Sequence, residues 1–210
     1  MSDILTIDTS VAAGIKQPEQ KFEPLPVFDD KHPLLSEIMP EYVGVLPDRE
    51  MTKIVGRLKV TMKLYSGLGL SANQCGIKQR VFVIGTDQFQ MACINPKVIK
   101  VSEELVKDTE GCLSFPLLGL SITRPKEVAV TYQDYNGEWK QATFSGISAR
   151  CFQHELDHLN GIVYTSVAKP MALQSGMKKV EKFYKKYFSP QQLKKLQHGQ
   201  TTKNNQHGIR

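Results

Sequence analysis

The chain has 210 residues, 40% hydrophobic and 23% charged, with a formal net charge of +6. That is enough for one substantial core and reads as a globular single domain. No run approaches the roughly 18 consecutive apolar residues of a membrane span. The start Met1-Ser2-Asp3-Ile4-Leu5 has neither a basic leader nor an apolar signal segment, so the expected compartment is the cytoplasm. Cys75, Cys93, Cys112 and Cys151 form no CxxC pair, which argues against a disulfide framework and leaves free thiols as core residues or metal ligands.

Residues 1–47 carry Pro18, Pro24, Pro26, Pro33, Pro40 and Pro47. Such spacing predicts an irregular arm packed on the core. Asp48 is placed to cap a helix running to about Ser66, with Met51, Ile54, Val55, Leu58, Met62 and Tyr65 at helical period. Gly67 and Gly69 break it. Arg80–Gly85 reads as a buried strand, followed by a second over Met91–Ile99. Val128, Val130 and Tyr132 alternate as on a half-buried strand, and Asn136-Gly137 predicts a two-residue hairpin leading to a return strand with Trp139 and Phe144. A helix is expected from Ile147 to Asn160, with Ala149, Cys151, Phe152, Leu156 and Leu159 as its contacts and Gly161 as its stop. Pro170 opens a further helix whose packing stripe is Leu173, Met177, Val180, Phe183, Tyr184 and Tyr187, interrupted at Ser189-Pro190. Residues 196–210 form a polar tail. The fold class is therefore α+β: one domain of short, mostly antiparallel strands around a central HExxH helix, with 48–169 as the catalytic core. Residues 170–195 form a basic C-terminal helical segment, in which seven lysines against Glu181 give 178–195 a charge of +6; it is either a solvated face or a docking surface for a polyanion such as RNA.

Chemistry concentrates in Gln153-His154-Glu155-Leu156-Asp157-His158. On a helix His154 and His158 lie one turn apart on one face, with Glu155 beside them, which is the HExxH arrangement of metal-assisted hydrolysis. Two imidazoles are one ligand short of a catalytic site with an open position. The candidates for the third are Cys112, His32 or a carboxylate; His198 and His207 fall in the tail. Cys112 lies in Glu110-Gly111-Cys112-Leu113-Ser114-Phe115-Pro116, where Gly111 would allow close backbone approach and Leu113 and Phe115 would exclude water. In Gly67-Leu68-Gly69-Leu70-Ser71-Ala72-Asn73-Gln74, small residues would let backbone pass near a ligand, and Gln74 is the polar group able to donate to an oxyanion.

Taken in order, Gly67–Gln74, Glu110–Ser114 and His154–His158 closely resemble the signature of peptide deformylases, GxGxAAxQ, EGCLS and HExDH, over about residues 48–165. The resemblance implies that Cys112, His154 and His158 bind one divalent metal, normally Fe2+ in the cell, with Zn2+, Ni2+ or Co2+ acceptable to the same donors. It further implies that Glu155 is the general base and acid, and that the Gln74 amide and the Leu113 N–H face the developing oxyanion. The implied substrate is the N-formylmethionyl end of a nascent polypeptide. Gly67, Leu68, Gly69, Leu70 and Gly119 are then the candidate substrate-binding positions, offering backbone hydrogen bonds to an extended peptide, and Leu113 and Phe152 are candidates to line a methionine pocket. Some members of this family dock on the ribosome through a basic C-terminal helix, a role open to 178–195; no membrane or DNA partner is expected. Ser71 stands where the family usually has alanine, and Leu117-Leu118-Gly119 replaces a more polar run. These departures suggest a divergent branch, phage-type or organellar-type, working in an organelle or an infected host's cytoplasm. Two rival readings use the same residues: a zincin-like metallopeptidase with a distant third ligand, and a non-enzymatic, metal-stabilised ribosome- or RNA-docking domain in which Glu155 would be dispensable.

Overall fold

The computed structural model of the protein describes residues 21–86, 89–189 and 191–192. The first 20 residues of the expected arm, Pro190 and everything from 193 onward lie outside them, including Lys194, Lys195 and the polar tail. Helix α1 spans Arg49–Leu64, and the Asp48 side chain accepts the Met51 N–H at 2.9 Å, the hydrogen bond an N-cap carboxylate is suited to make. Strands follow at β1 (Gly69–Ser71), β2 (Val81–Gly85), β3 (Gln90–Val101), β4 (Leu105–Cys112), β5 (Phe115–Pro125), β6 (Glu127–Gln133) and β7 (Trp139–Ser145). Helices α2 (Gly146–Leu159), α3 (Tyr164–Val167) and α4 (Pro170–Tyr187) complete the order.

Five strands form a sheet in the order β1-β2-β3-β6-β7, and β4 and β5 form a separate hairpin. Every pairing among the described residues is antiparallel. The fold is thus a mixed helix-and-sheet domain, although β3 with 12 residues and β5 with 11 are longer than the short strands expected. Because side chains alternate across a strand, β2 serves two cores. Val81 and Val83 meet Met51, Val55, Leu58 and Met62 of α1, while Phe82 and Ile84 meet Ala149, Phe152, Leu156 and Leu159 of α2. Burial of each such large side chain is worth about 1.5–3 kcal/mol, so α1 and α2 are clamped to opposite faces of one strand.

The described part of the arm crosses both cores. Leu25 N–H donates to Thr61 Oγ1 at 2.7 Å, Phe28 N–H to the Gln74 carbonyl at 2.8 Å, and Met39 N–H to the Leu159 carbonyl at 2.8 Å. Asn95, at φ 52°, clamps it to β3 by exchanging two 2.8 Å bonds with the Tyr42 backbone.

Three sequence expectations are corrected. The β6–β7 connection is longer than two residues: Gln133 pairs with Trp139, the Gly137 N–H donates to the Asp134 carbonyl at 3.0 Å, and Gly137 sits at φ 87°. Residues 134–138, five in all, join the strands with a left-handed glycine among them, and Asp134 Oδ1 accepts from the Asn136 and Glu138 N–H groups. On α4, Leu173 and Val180 pack inward, but Met177, Phe183 and Tyr187 are exposed. The buried contact is Gly176, where a Cβ would stand 2.7 Å from Leu120 and 3.0 Å from Leu118; a missing side chain lets the helix close on β5. Finally, β4 carries no apolar pattern and was not expected as a strand; six of its eight residues, 105–109 and Gly111, are exposed. Among the described residues no helix is long and apolar enough to cross a membrane.

Candidate active site

Helix α2 presents His154, Glu155 and His158 on its buried side, all less than a tenth exposed. Phe152, one turn back, is fully buried against Phe82 and Phe144 rather than lining a pocket. The β4–β5 hairpin brings Cys112 over the end of this helix. Cys112 Sγ lies 3.2 Å from His158 Nε2, and the potential ligand atoms of Cys112, His154 and His158 all fall within 4.8 Å of one another. The two imidazole rings are 4.9 Å apart and nearly perpendicular. His32 does not join them; its ring stacks on Phe28 at 3.8 Å and its Nδ1 accepts the Leu34 N–H. Of the three candidates for the missing ligand, the Cys112 thiol is the one grouped with both histidines.

One sulfur and two imidazole nitrogens that converge in a buried position fit a divalent metal of the first transition row. The orientation of the rings supports the fit. His154 Nδ1 is 3.0 Å from Glu110 Oε2, which turns Nε2 inward, in the carboxylate–histidine manner of metal sites. His158 Nδ1 is buried without a partner among the described residues, and Nε2 is the nitrogen facing the sulfur. Burial opposes charge on both rings. His154 is nevertheless drawn up to about 10 by its contacts with Cys112 and Glu110, while His158 is held well below its usual value by burial and by the charges of His154 and Arg124.

Glu110 is the hub of an ion network that the sequence did not disclose. Its Oε1 accepts from Arg124 Nε at 2.6 Å and Arg150 Nη1 at 2.7 Å, and its Oε2 from Arg124 Nη2 at 2.9 Å. Arg124 also reaches Asp157 Oδ2 at 2.7 Å, and Arg150 donates to the Val106 and Ile122 carbonyls. Burial alone would raise the Glu110 carboxyl, yet the donors from His154 and Arg124 hold it down at about 2. The network fastens the hairpin that carries Cys112 to the helix that carries both histidines. Tyr164 adds a third tie: its hydroxyl donates to the Leu118 carbonyl at 2.6 Å, and its ring lies edge-on to His154 and Phe115.

The segment after α1 supplies the remaining groups. Gln74 is buried and locked: its Oε1 accepts the Ser71 N–H at 2.9 Å, which points Nε2 at Cys112 Sγ, 3.4 Å away, and at Ser114 Oγ, 3.2 Å away. Leu113 packs against the α1 core, and its N–H makes no hydrogen bond among the described residues. Ser71 Oγ lies 2.7 Å from Glu155 Oε2 and 2.9 Å from the Glu155 carbonyl. Burial raises the Glu155 carboxyl, against the pull of His154 and Ser71. Gly69 is small because Glu155 passes over it; a Cβ there would stand 2.4 Å from Oε1. The expectation for Gly111 is corrected, since a Cβ there meets nothing within 4 Å.

The proposed peptide-facing backbone is partly engaged within the protein. Gly67 N–H donates to the Met62 carbonyl at 2.9 Å, and the Leu68 carbonyl accepts from the Gly85 N–H at 2.9 Å and the Cys151 thiol at 3.2 Å. Leu70 is buried on β1, and Gly119 is exposed on β5 beside Gly176 of α4. β1 is an edge strand, with no strand paired on its outer side among the described residues.

A cysteine and two histidines on such a frame, with a buried carboxylate one residue along, define a metal-dependent hydrolase. The polypeptide deformylase family model matches residues 24–174, and the chain belongs to the peptide deformylase family. The match begins 24 residues earlier than the resemblance suggested, within the arm. A curated peptide deformylase from Thermotoga neapolitana is 42% identical over 123 residues, covering 59% of this chain and 75% of that one. The crystal structure of peptide deformylase from Thermotoga maritima superposes with a TM-score of 0.68 at 35% identity, covering 70% of this chain and 99% of that one. A peptide deformylase from Synechococcus elongatus in complex with actinonin gives a TM-score of 0.71 at 31% identity, with 80% and 93% covered.

Proposed function

We propose that this protein hydrolyses the N-terminal formyl group of formylmethionyl polypeptides, releasing formate and a free methionine amine. The observation that carries the reading is the convergence of Cys112, His154 and His158, with Gln74 Nε2 3.4 Å from the Cys112 sulfur and Glu155, the residue next to His154, buried. Cys112 Sγ and the Nε2 atoms of His154 and His158 would hold the metal. When bound, such an ion acidifies water and polarises a carbonyl. We assign it as Fe2+ in the cell, with Zn2+, Ni2+ or Co2+ tolerated.

Glu155 takes the proton of the attacking water and returns it to the departing amine. The formyl oxygen gains negative charge as its carbon becomes tetrahedral. The Leu113 N–H and one N–H of Gln74, exchanged from Ser114, donate to that oxygen and favour the tetrahedral state over the planar substrate. The peptide lies extended along the outer side of β1, taking backbone bonds as an added strand.

Formate release from a formylmethionyl peptide, set beside cleavage of internal peptide bonds, separates this reaction from a peptidase. Glu155→Gln should keep the metal and lose turnover sharply; full turnover by that variant would overturn the assignment, as would internal cleavage by the parent. We also propose that Lys178, Lys179, Lys182, Lys185 and Lys186 of α4 support contact with the ribosome, and that the enzyme works in the cytoplasm, including that of an organelle or infected host. Ribosome co-pelleting of the full chain against one ending at Pro170 tests the first point, with equal pelleting ruling it out.

A further inference from the structure

We infer that Ser71 is a positioning residue for the proposed deformylation: its hydroxyl pins Oε2 of Glu155 and leaves Oε1 as the oxygen that handles the proton. The inference rests on the functional reading above and extends it. Ser71 is fully buried, at 0% exposure, at the end of β1. Its Oγ carries a single proton and lies 2.7 Å from Glu155 Oε2 and 2.9 Å from the carbonyl of the same residue. Both acceptors belong to Glu155, so the proton is committed to that residue whichever it meets, and the shorter contact to a carboxylate is the stronger. Ser71 is itself immobile, because its N–H is held by Gln74 Oε1 at 2.9 Å.

The other carboxylate oxygen is treated differently. Oε1 makes no hydrogen bond to any described residue and lies over Gly69, where a Cβ would be 2.4 Å away. A carboxylate that was free to rotate about its last bond would present either oxygen. With Oε2 anchored by a hydroxyl, Oε1 is the oxygen left without a partner among the described residues, and the rotational freedom that would otherwise be frozen at the moment of proton transfer is already removed. The hydroxyl is also the only part of the Ser71 side chain that an alanine lacks, so the pinning is separable from the packing of β1.

Ser71→Ala and Ser71→Cys test this together. Alanine removes the donor and leaves a small void; cysteine fills the void with a weak donor. Steady-state formate release should show kcat about tenfold lower in both variants, with KM and bound metal unchanged. Crystal structures should show the Glu155 carboxylate in more than one rotamer in both. Parent-level kcat in both variants overturns the inference. So does recovery by Ser71→Cys alone, which would mean that the side chain acts by filling space, and so does a Glu155 side chain that keeps its single arrangement in Ser71→Ala. Absence of formate release by the parent protein refutes the deformylase reading itself, and the rotamer comparison still decides whether Ser71 orients Glu155.

Discussion

Gly69→Ala is the sharpest perturbation of the site that adds only one carbon. The new Cβ would stand 2.4 Å from Glu155 Oε1, 2.8 Å from its carboxyl carbon and 2.8 Å from Cys151 Sγ. Ordinary contact begins near 3.4 Å, so the shortfall at Oε1 is about 1 Å, and either β1 or the carboxylate must move by that distance. β1 cannot yield easily, since Gly69 pairs with Ile84 and Leu70 with Val83 in the core strand. Glu155 is therefore the group displaced, against its bond to Ser71. A misplacement of about 1 Å in a reacting group costs on the order of a hundredfold in rate. The overpacking adds about 1–3 kcal/mol of destabilisation, which corresponds to roughly 2–12 °C in Tm for a chain of this size. The assay is formate release at saturating peptide, with metal content and thermal unfolding measured on the same preparation. A kcat within about threefold of the parent, in a variant whose structure shows Glu155 unmoved, would refute the claim that this glycine makes room for the Glu155 carboxylate.

Other consequences follow from the same geometry. Glu110→Gln leaves Arg124 and Arg150 without their shared charge and should cost about 3–5 kcal/mol in chemical unfolding, with metal affinity about 10–100-fold weaker by competition with a chelator; full affinity would show that the His154 contact is passive. The Glu110 carboxyl is lowered on folding from 4.5 to about 2, so its stabilising share is complete above pH 4.5 and is lost as pH falls toward 2. Urea midpoints should accordingly fall more steeply between pH 5 and 3 in the parent than in Glu110→Gln, and parallel slopes would contradict the network. Tyr164→Phe keeps the ring against His154 but orphans the Leu118 carbonyl; about 1–3 kcal/mol should be lost in unfolding, with metal content unchanged. Chelation of the parent should abolish formate release and lower Tm, and either Fe2+ or Ni2+ should restore both; activity that survives complete metal removal would remove Cys112, His154 and His158 from the mechanism.

Much of the architecture was readable because it is written in neighbouring residues. The α1 stripe from Met51 to Met62, its Asp48 cap, the alternation of Val128, Val130 and Tyr132, and the α2 contacts Ala149, Phe152, Leu156 and Leu159 are all local periodicities that match buried positions. The pairing of His154 with His158 is local in the same sense, since one helical turn guarantees it. The exposed hairpin strand β4 was illegible because a strand with its side chains in water has no need of an apolar pattern. The stripe on α4 misled because exposed aromatics look like core residues until the partner surface is known, and the contact is made instead through Gly176.

What the chain order alone settled is the inventory: a two-histidine helix with its glutamate, a glycine-rich turn ending in glutamine, and a cysteine whose part the motifs implied through family resemblance. What only the tertiary structure decided is which groups share space. Glu110, Arg124, Arg150 and Asp157 are scattered over three elements, and no spacing rule links them; the β4–β5 hairpin folding against α2 makes them one network. The same is true of Ser71 and Glu155, 84 residues apart and 2.7 Å from contact to contact. Periodicity reports which side of an element is dry, whereas charge pairing and metal geometry depend on distances between elements, and those distances are set only when the separate dry sides pack together.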